Sequence, residues 1–395
     1  MKKTKQQINE FDTAAYQIQR LSGRPLPFSK LYLSKNIALK YLLAAILGVV
    51  YACLTLFFIK NTGGYSYGLS SLLQGISKLC SYFVYKAEVK NASAIYSAMF
   101  WGLILVCNIP LFIFSWKKIG HRFTLLTLTF LLVNTAAGLG FDQIPNIANC
   151  TIFGKTNLTG SAQWITDLTN NHIQVLPFSV PSSLSLGYDA GNYVKPLILI
   201  LSTVAYSFIA AFAFSILFII GGCTAGTDFI SVYLASRTKV KLSSFFFCLN
   251  LVCITLGSTL GCFIPSCLNN KDCVCVEFFF SANYVATVIS LAVFTVLYKK
   301  IYPTGFRCKV EVYSKKHKEI KTDLYKHKYV HGSNLTEVTG GFSNKANGKF
   351  STLCSYIELP LIIDRINKID EHATIAITKL AAIDGNFAIK NPGKQ

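Results

Sequence analysis

Residues 219–230 read Ile-Ile-Gly-Gly-Cys-Thr-Ala-Gly-Thr-Asp-Phe-Ile. They close an apolar run that begins at Pro196, interrupt it with Gly221, Gly222 and Gly226, and then place Asp228 two residues further on. Glycines let a chain break and let helices approach closely. Asp228 is the only Asp or Glu inside the apolar stretches, and an ionisable group at such depth marks a functional site by default. The stretch therefore predicts a membrane helix that stops, opens and restarts beside a carboxylate.

Working outward, the whole chain suits this setting. Of 395 residues, only 14% are charged while 52% are apolar, and the mean hydropathy is +0.43. A soluble domain carries about 25% charged residues. The net charge of +20 argues for lipid rather than nucleic acid, because the basic residues cluster beside apolar runs of bilayer length. Six segments of about 20 apolar residues are expected to span: Ile37–Ile59, Ala94–Trp116, Phe123–Phe141, Pro196–Ile220, Leu242–Ile264 and Phe278–Leu297. No cleaved signal peptide is evident. Residues 1–36 form a basic leader that can lie on the lipid surface through Tyr16, Leu21, Phe28 and Leu31.

Orientation follows from the short connections. Lys117, Lys118 and Arg122, then Arg237, Lys239 and Lys241, then Lys299 and Lys300, all fall on one side if the crossings alternate. That side is expected to be cytoplasmic, with both termini in the cytoplasm of a multi-pass cell-membrane protein. Residues 142–195 then form an external insertion. Lys60, Lys78, Lys86 and Lys90 conflict with the scheme, since they fall on the outer side.

The broken helix has a counterpart. Gly63-Gly64-Tyr-Ser-Tyr-Gly68 and Gly221-Gly222-Cys-Thr-Ala-Gly226 share G-G-x-x-x-G, and each follows a long span. Each precedes a short segment (Gly68–Phe83 and Thr227–Leu234), then a span with an interior asparagine (Asn108 and Asn250), then a third span. Three crossings per half make the second half inverted: repeat one covers 37–141 and repeat two 196–300 within a membrane domain of 37–300. Both short segments are expected as re-entrant half-helices, because irregular backbone at membrane depth is tolerated only under protein cover or beside water. Opened helix ends free backbone groups to bind a solute or ion near the midplane. The candidate binding residues are Gly63, Gly64, Gly68, Ser70, Asn108, Gly221, Gly222, Thr224, Gly226, Thr227, Asp228 and Asn250. For Asp228 the plainer role is a helix N-cap, with Thr224 or Thr227 sharing that work. For the asparagines it is tying helices together.

Residues 219–230 resemble the Gly-Gly-x-x-Gly-Gly-Thr-Asp signature of the bacterial YitT family of membrane proteins. Asn108–Gly120 (Asn-Ile-Pro-Leu-Phe-Ile-Phe-Ser-Trp-Lys-Lys-Ile-Gly), followed by Phe123-Thr-Leu-Leu-Thr127, is similar to that family's second hallmark. The likeness covers roughly 37–140 and 196–390. Two departures stand out: Ala225 interrupts the family's second glycine pair, and 142–195 is long. The resemblance implies the architecture more than a substrate.

Beyond Tyr302 the composition turns to mixed charged and apolar residues. Strands are expected at Lys309–Tyr313, Leu335–Thr339, Phe350–Ile357 and Thr374–Thr378, with helices at Lys316–His327 and Leu359–Ile369. The order βαββαβ over 301–395 suits a cytoplasmic α+β ferredoxin-like domain, similar to the one that commonly ends YitT-family chains. Its glycine-rich loop, with Gly340, Gly341, Lys345 and Lys349, can cradle the phosphate of a nucleotide or be an ordinary hairpin.

Enzymatic chemistry is not expected. The chain lacks a nucleophile grouped with His and acid partners, H-E-x-x-H and a Walker loop. Cys262, Cys267, Cys273 and Cys275 surround one loop without a nearby His or paired C-x-x-C, so no metal site or cofactor is expected. The leading expectation is a transporter of a small solute or ion, driven by a gradient through alternating access, with a regulatory cytoplasmic domain. The alternative is a membrane-anchored sensor or scaffold whose spans only anchor and homo-oligomerise a domain that binds a nucleotide or partner protein.

Overall fold

The structure, a computed structural model, describes residues 26–34, 36–60, 62–87, 92–144, 190–237, 242–269, 280–303, 306–341, 344, 346–385 and 387. In chain order the helices are α1 (Ser29–Leu33), α2 (Ile37–Leu54, continued as a π-helix over Thr55–Lys60), α3 (Leu69–Lys86), α4 (Ala92–Lys118) and α5 (His121–Asp142). Then come α6 (Ala190–Ile220), α7 (Thr227–Arg237), α8 (Leu242–Ser258, continued as a π-helix over Thr259–Phe263), α9 (Ile264–Asn269) and α10 (Ala282–Ile301). Six of them, α2, α4, α5, α6, α8 and α10, are long and apolar enough to cross a membrane, each near its expected limits.

Large apolar side chains stay exposed on these six at helical spacing. Val106, Ile109 and Ile113 line one face of α4, and Val252 and Leu256 one face of α8. A stripe that wide suits lipid rather than water. The two shorter helices differ. Among their described side chains only Phe83 of α3 is large, apolar and exposed, while Leu73, Ser77, Lys78, Phe229 and Val232 are buried. Thus the described side chains of α3 and α7 are largely enclosed by the other helices.

Two of the troublesome lysines are accounted for inside the bundle. Lys60, carried by the π-turn of α2, pairs with Asp142 at the end of α5 at 2.6 Å, with both side chains buried. Trp101 Nε1 donates to the same carboxylate at 3.0 Å, and Lys60 Nζ donates to Ser97 Oγ at 2.8 Å. Lys78 of α3 is 1% exposed, its ammonium 4.2 Å from the Tyr65 ring centroid. Neither marks a basic flank. Cys262, expected beside a loop, instead lies buried in the π-turn of α8, with its Sγ 2.9 Å from the Tyr65 hydroxyl. Cys273 and Cys275 lie outside the described residues, as does 145–189 of the long insertion.

The C-terminal part folds as β1 (Arg307–Tyr313), α11 (His317–Lys326), β2 (Ser333–Thr339), β3 (Ala346–Ser355), α12 (Leu359–Ile369) and β4 (Thr374–Leu380). The sheet order is β2-β3-β1-β4 with every pair antiparallel. Strict alternation in β1 turns Cys308, Val310 and Val312 inward, where Ile320 and Leu324 of α11 and Ile362 and Ile366 of α12 cover them. Leu26 completes this core at 3% exposure, with Tyr32 packed against it. The described part of the leader is therefore docked on the domain rather than spread on lipid through Phe28 and Leu31. Tyr16 and Leu21 lie outside the described residues.

Candidate functional site

Each glycine turn is built alike. Each opens on a glycine in the left-handed region, Gly221 (φ 96°) directly after α6 and Gly63 (φ 85°) three residues past the end of the α2 π-turn. After Gly221 the bonds Gly221 N to Phe218 O (3.1 Å) and Gly222 N to Leu217 O (2.9 Å) form a Schellman cap. A short irregular stretch leads to a second left-handed glycine, Gly68 at φ 67° or Gly226 at φ 63°, and the short helix starts at the next residue. Ala225 also adopts positive φ, at 67°. That is a strained conformation for a residue with a Cβ.

Some of the backbone groups exposed by each turn are met from the other half of the chain. Tyr65 N donates to Thr287 Oγ1 on α10 at 3.1 Å, and Cys223 N donates to Thr127 Oγ1 on α5 at 3.1 Å. Gly226 N donates to Asn108 Oδ1 at 2.7 Å, while Asn250 Oδ1 lies 3.2 Å from where a Cβ on Gly68 would sit. Both asparagines use their amide nitrogen alike, on the carbonyl four residues back (Ile104 and Phe246). The N–H of Ser66 reaches Gln74 Oε1 at 3.2 Å, and the matching N–H of Thr224 reaches Asp228 Oδ2 at 3.1 Å. Thr224 Oγ1 also donates to that carboxylate oxygen. The same backbone demand is thus met by an amide eight residues on in the first half and by an acid four residues on in the second, where Asp228 aligns with Ser70.

The N-terminal ends of α3 and α7 meet. A Cβ on Gly68 would lie 2.6 Å from Thr227 Oγ1, and one on Gly226 would lie 3.0 Å from Leu69 Cβ. Beside this junction is a cavity of about 40 Å³, lined by residues from the middle turns of the long helices. One side is polar, with Asp228, Thr224, Asn108, Asn134 and Asn250; the other is aromatic, with Tyr51, Tyr67, Phe130, Phe214 and Phe294. The volume accommodates an ion or a very few waters. Thr227 Oγ1 and Asn134 Oδ1 are buried there without a protein partner. Asp228 is 4% exposed, and among the described residues no basic side chain pairs with it. Its first-turn position favours a carboxylate by about 0.3–1 kcal/mol. That is small against the roughly 2.5–3.5 kcal/mol cost of a charge at mid-membrane. A proton, or a cation facing the ring quadrupoles, balances the account better than the helix ends do.

Of the residues singled out in the sequence, Gly68, Ser70, Asn108, Thr224, Gly226, Thr227, Asp228 and Asn250 come together around this cavity. Gly63, Gly64, Gly221 and Gly222 do not line it. Gly221 and Gly222 cap the helix before them, and Gly64 and Gly222 admit close neighbours, such as Thr203 Cγ2 against Gly64. Gln74, Thr127, Thr287 and the tyrosines escaped the sequence reading, because one Thr or Tyr in an apolar span looks like any other. In the C-terminal domain, Gly340 and Gly341 fall in the turn between β2 and β3, and Lys345 lies outside the described residues. Lys349 corrects the loop assignment: it belongs to β3, where it pairs with Glu311 at 2.8 Å.

Six bilayer-length helices around two enclosed short ones, followed by a small antiparallel sheet with its own helices, define a multi-pass helical membrane protein. The chain is 30% identical over 390 residues to the uncharacterized protein MG443 of Mycoplasma genitalium, covering 94% of each chain. It is 28% identical over 398 residues to the MG443 homolog of Mycoplasma pneumoniae, covering 96% of this chain and 95% of that one. To the MG432 homolog of the same organism it is 26% identical over 374 residues, at 92% and 90% coverage. The chain belongs to the family of MG443. No protein-family model matches it, and no solved structure does.

Proposed function

We propose that this protein is a gradient-driven carrier of a small solute or ion. In this reading α2–α5 and α6–α10 form an inverted repeat that works by alternating access around Asp228, with both termini in the cytoplasm. The observation that carries it is the convergence of two half-helix starts, one from each half, on a cavity that holds an unpaired carboxylate. The matched bonds from Thr287 and Thr127 support the repeat, since each serves the opposite half's turn. Gln74 supports a role for the acid: from elsewhere on its helix a neutral amide meets the N–H of Ser66, the counterpart of Thr224, so that backbone demand alone does not call for the costlier carboxylate. At about 40 Å³ the cavity suits a proton or bare cation in this closed state, and a larger solute requires the halves to part. The YitT-like signature falls on these same turns and belongs to this proposal. So does a regulatory role for the domain after Tyr302, whose β2-β3-β1-β4 order suits a ferredoxin-like sheet.

Proteoliposomes test it. Wild-type protein is expected to dissipate an imposed proton or sodium gradient, or to take up a labelled amino acid or nucleobase against one. Asp228→Asn should lose at least tenfold of that flux while melting like the wild type in detergent. Absence of flux across the panel, or unchanged flux in the variant, sinks the carrier.

A further inference from the structure

A second cavity, of about 300 Å³, lies where α10 leaves the bundle and meets the C-terminal domain. Lys299 and Lys300 come to it from the last turn of α10, and Lys379 comes from β4. Phe306 and Tyr356 form its domain wall, while Val296, two-thirds exposed on α10, continues it onto the surface that faces lipid.

Lys379 breaks a local rule. Its register partner is Cys308, and the neighbouring pairs Val310–Ile377 and Val312–Ile375 all lie on the core face of the sheet. A lysine on that face of an edge strand has to carry its charge out past the apolar stem. Its ammonium lies 4.9 Å from the Tyr356 ring centroid and 5.7 Å from that of Phe306, directed into the cavity. Among the described residues no Asp or Glu lines this space, and none of the three lysines has a carboxylate partner.

Three uncompensated ammonium groups around one space call for an anion. They sit at the end of a spanning helix, where headgroups lie, and an apolar flank leads from them into the bilayer. We propose that this cavity binds the headgroup phosphate of an anionic phospholipid, with its acyl chains running down α10 past Val296. Basic pockets at a membrane surface recognise lipid phosphate in this way. A free phosphate offers the same charge but makes no use of the apolar flank. The lipid would join the last span to the domain that follows it, whatever the bundle transports.

The test uses the full chain in neutral detergent, titrated with dioleoylphosphatidylglycerol, dioleoylphosphatidylcholine or inorganic phosphate. Melting temperature and lipid retention in native mass spectrometry are the readouts. Phosphatidylglycerol should raise the melting temperature with one molecule retained, and phosphatidylcholine should do neither. Lys299→Gln/Lys300→Gln/Lys379→Gln should weaken phosphatidylglycerol binding at least tenfold. Lys379→Gln alone, exposed on the domain, gives the same direction should the triple variant fail to fold. Lys117→Gln/Lys118→Gln, on α4, should bind as the wild type does. Equal retention of the two lipids, unaltered binding in the variants, or stabilisation by inorganic phosphate matching that by phosphatidylglycerol would each overturn the site.

Discussion

At the scale of single residues, Asp228 and the two half-helix glycines carry the most consequence. Asparagine at 228 still accepts from Thr224, so it tests charge without removing the acceptor. Leucine there strands the Thr224 N–H and should cost about 1–3 kcal/mol in detergent unfolding. Gly68→Ala combines positive φ with an added methyl against Thr227 Oγ1, and Gly226→Ala sets one against Leu69. Each should lose about 1–2 kcal/mol from the left-handed backbone alone. Gly102→Ala is the control: an added methyl meets nothing within 4 Å, and a helix interior gains about 1 kcal/mol from the change. Asp228 and the glycines were legible in the sequence because polarity and chain breaks stand out in an apolar run. Thr127 and Thr287 were not, since their role depends on which helix end faces them.

Among elements, the tie between α2 and α5 is the clearest. Lys60 and Asp142 are far apart in sequence, and each lies at the edge of an apolar run where charge looks like a flank. Only their packing turns two boundary residues into a buried pair. Asp142→Asn leaves the Lys60 ammonium buried without its counter-ion and should cost about 3–5 kcal/mol. Lys60→Met with Asp142→Leu should recover most of that loss, and a double-mutant cycle in detergent melts measures it. The contact between α3 and α8 has a similar history. Gly257 and Gly261 have the spacing of a close helix approach, yet nothing in the chain says that Gly75 of α3 is what approaches. The six spans, by contrast, were readable to within several residues at each end, because length and apolarity are properties of each segment alone.

For the molecule as a whole, the bundle and the small domain answer to different conditions. The domain's outward sheet face carries Glu311 between Lys309 and Lys349, each at 2.8 Å, and their hydrogen bonds hold its carboxyl down to about 2. A folded value below the unfolded one, about 4.3, gives stability that is present above pH 4 and lost as pH falls toward 2. Glu311→Gln should flatten that acid limb in full-chain melts between pH 5 and 2. The order of strands was legible in the alternation of β1 and the amphipathic period of α12. The docking of residues 26–34 was not, because Gly23, Pro25 and Pro27 conceal any periodic face.

Leu26 leaves the ribosome before the six long helices, yet it seals a core whose strands follow them in the chain. At about 5–20 residues per second, it waits tens of seconds for Val310, Phe350 and Ile366 to arrive. During that interval six helices are inserted, and the early segment must stay on the side where the late one will emerge. The docked leader thus works as a clasp that closes only once the strands and helices of 307–380 have been made. Deleting residues 26–34 should leave insertion of the spans intact while making the final domain the first part cut by protease.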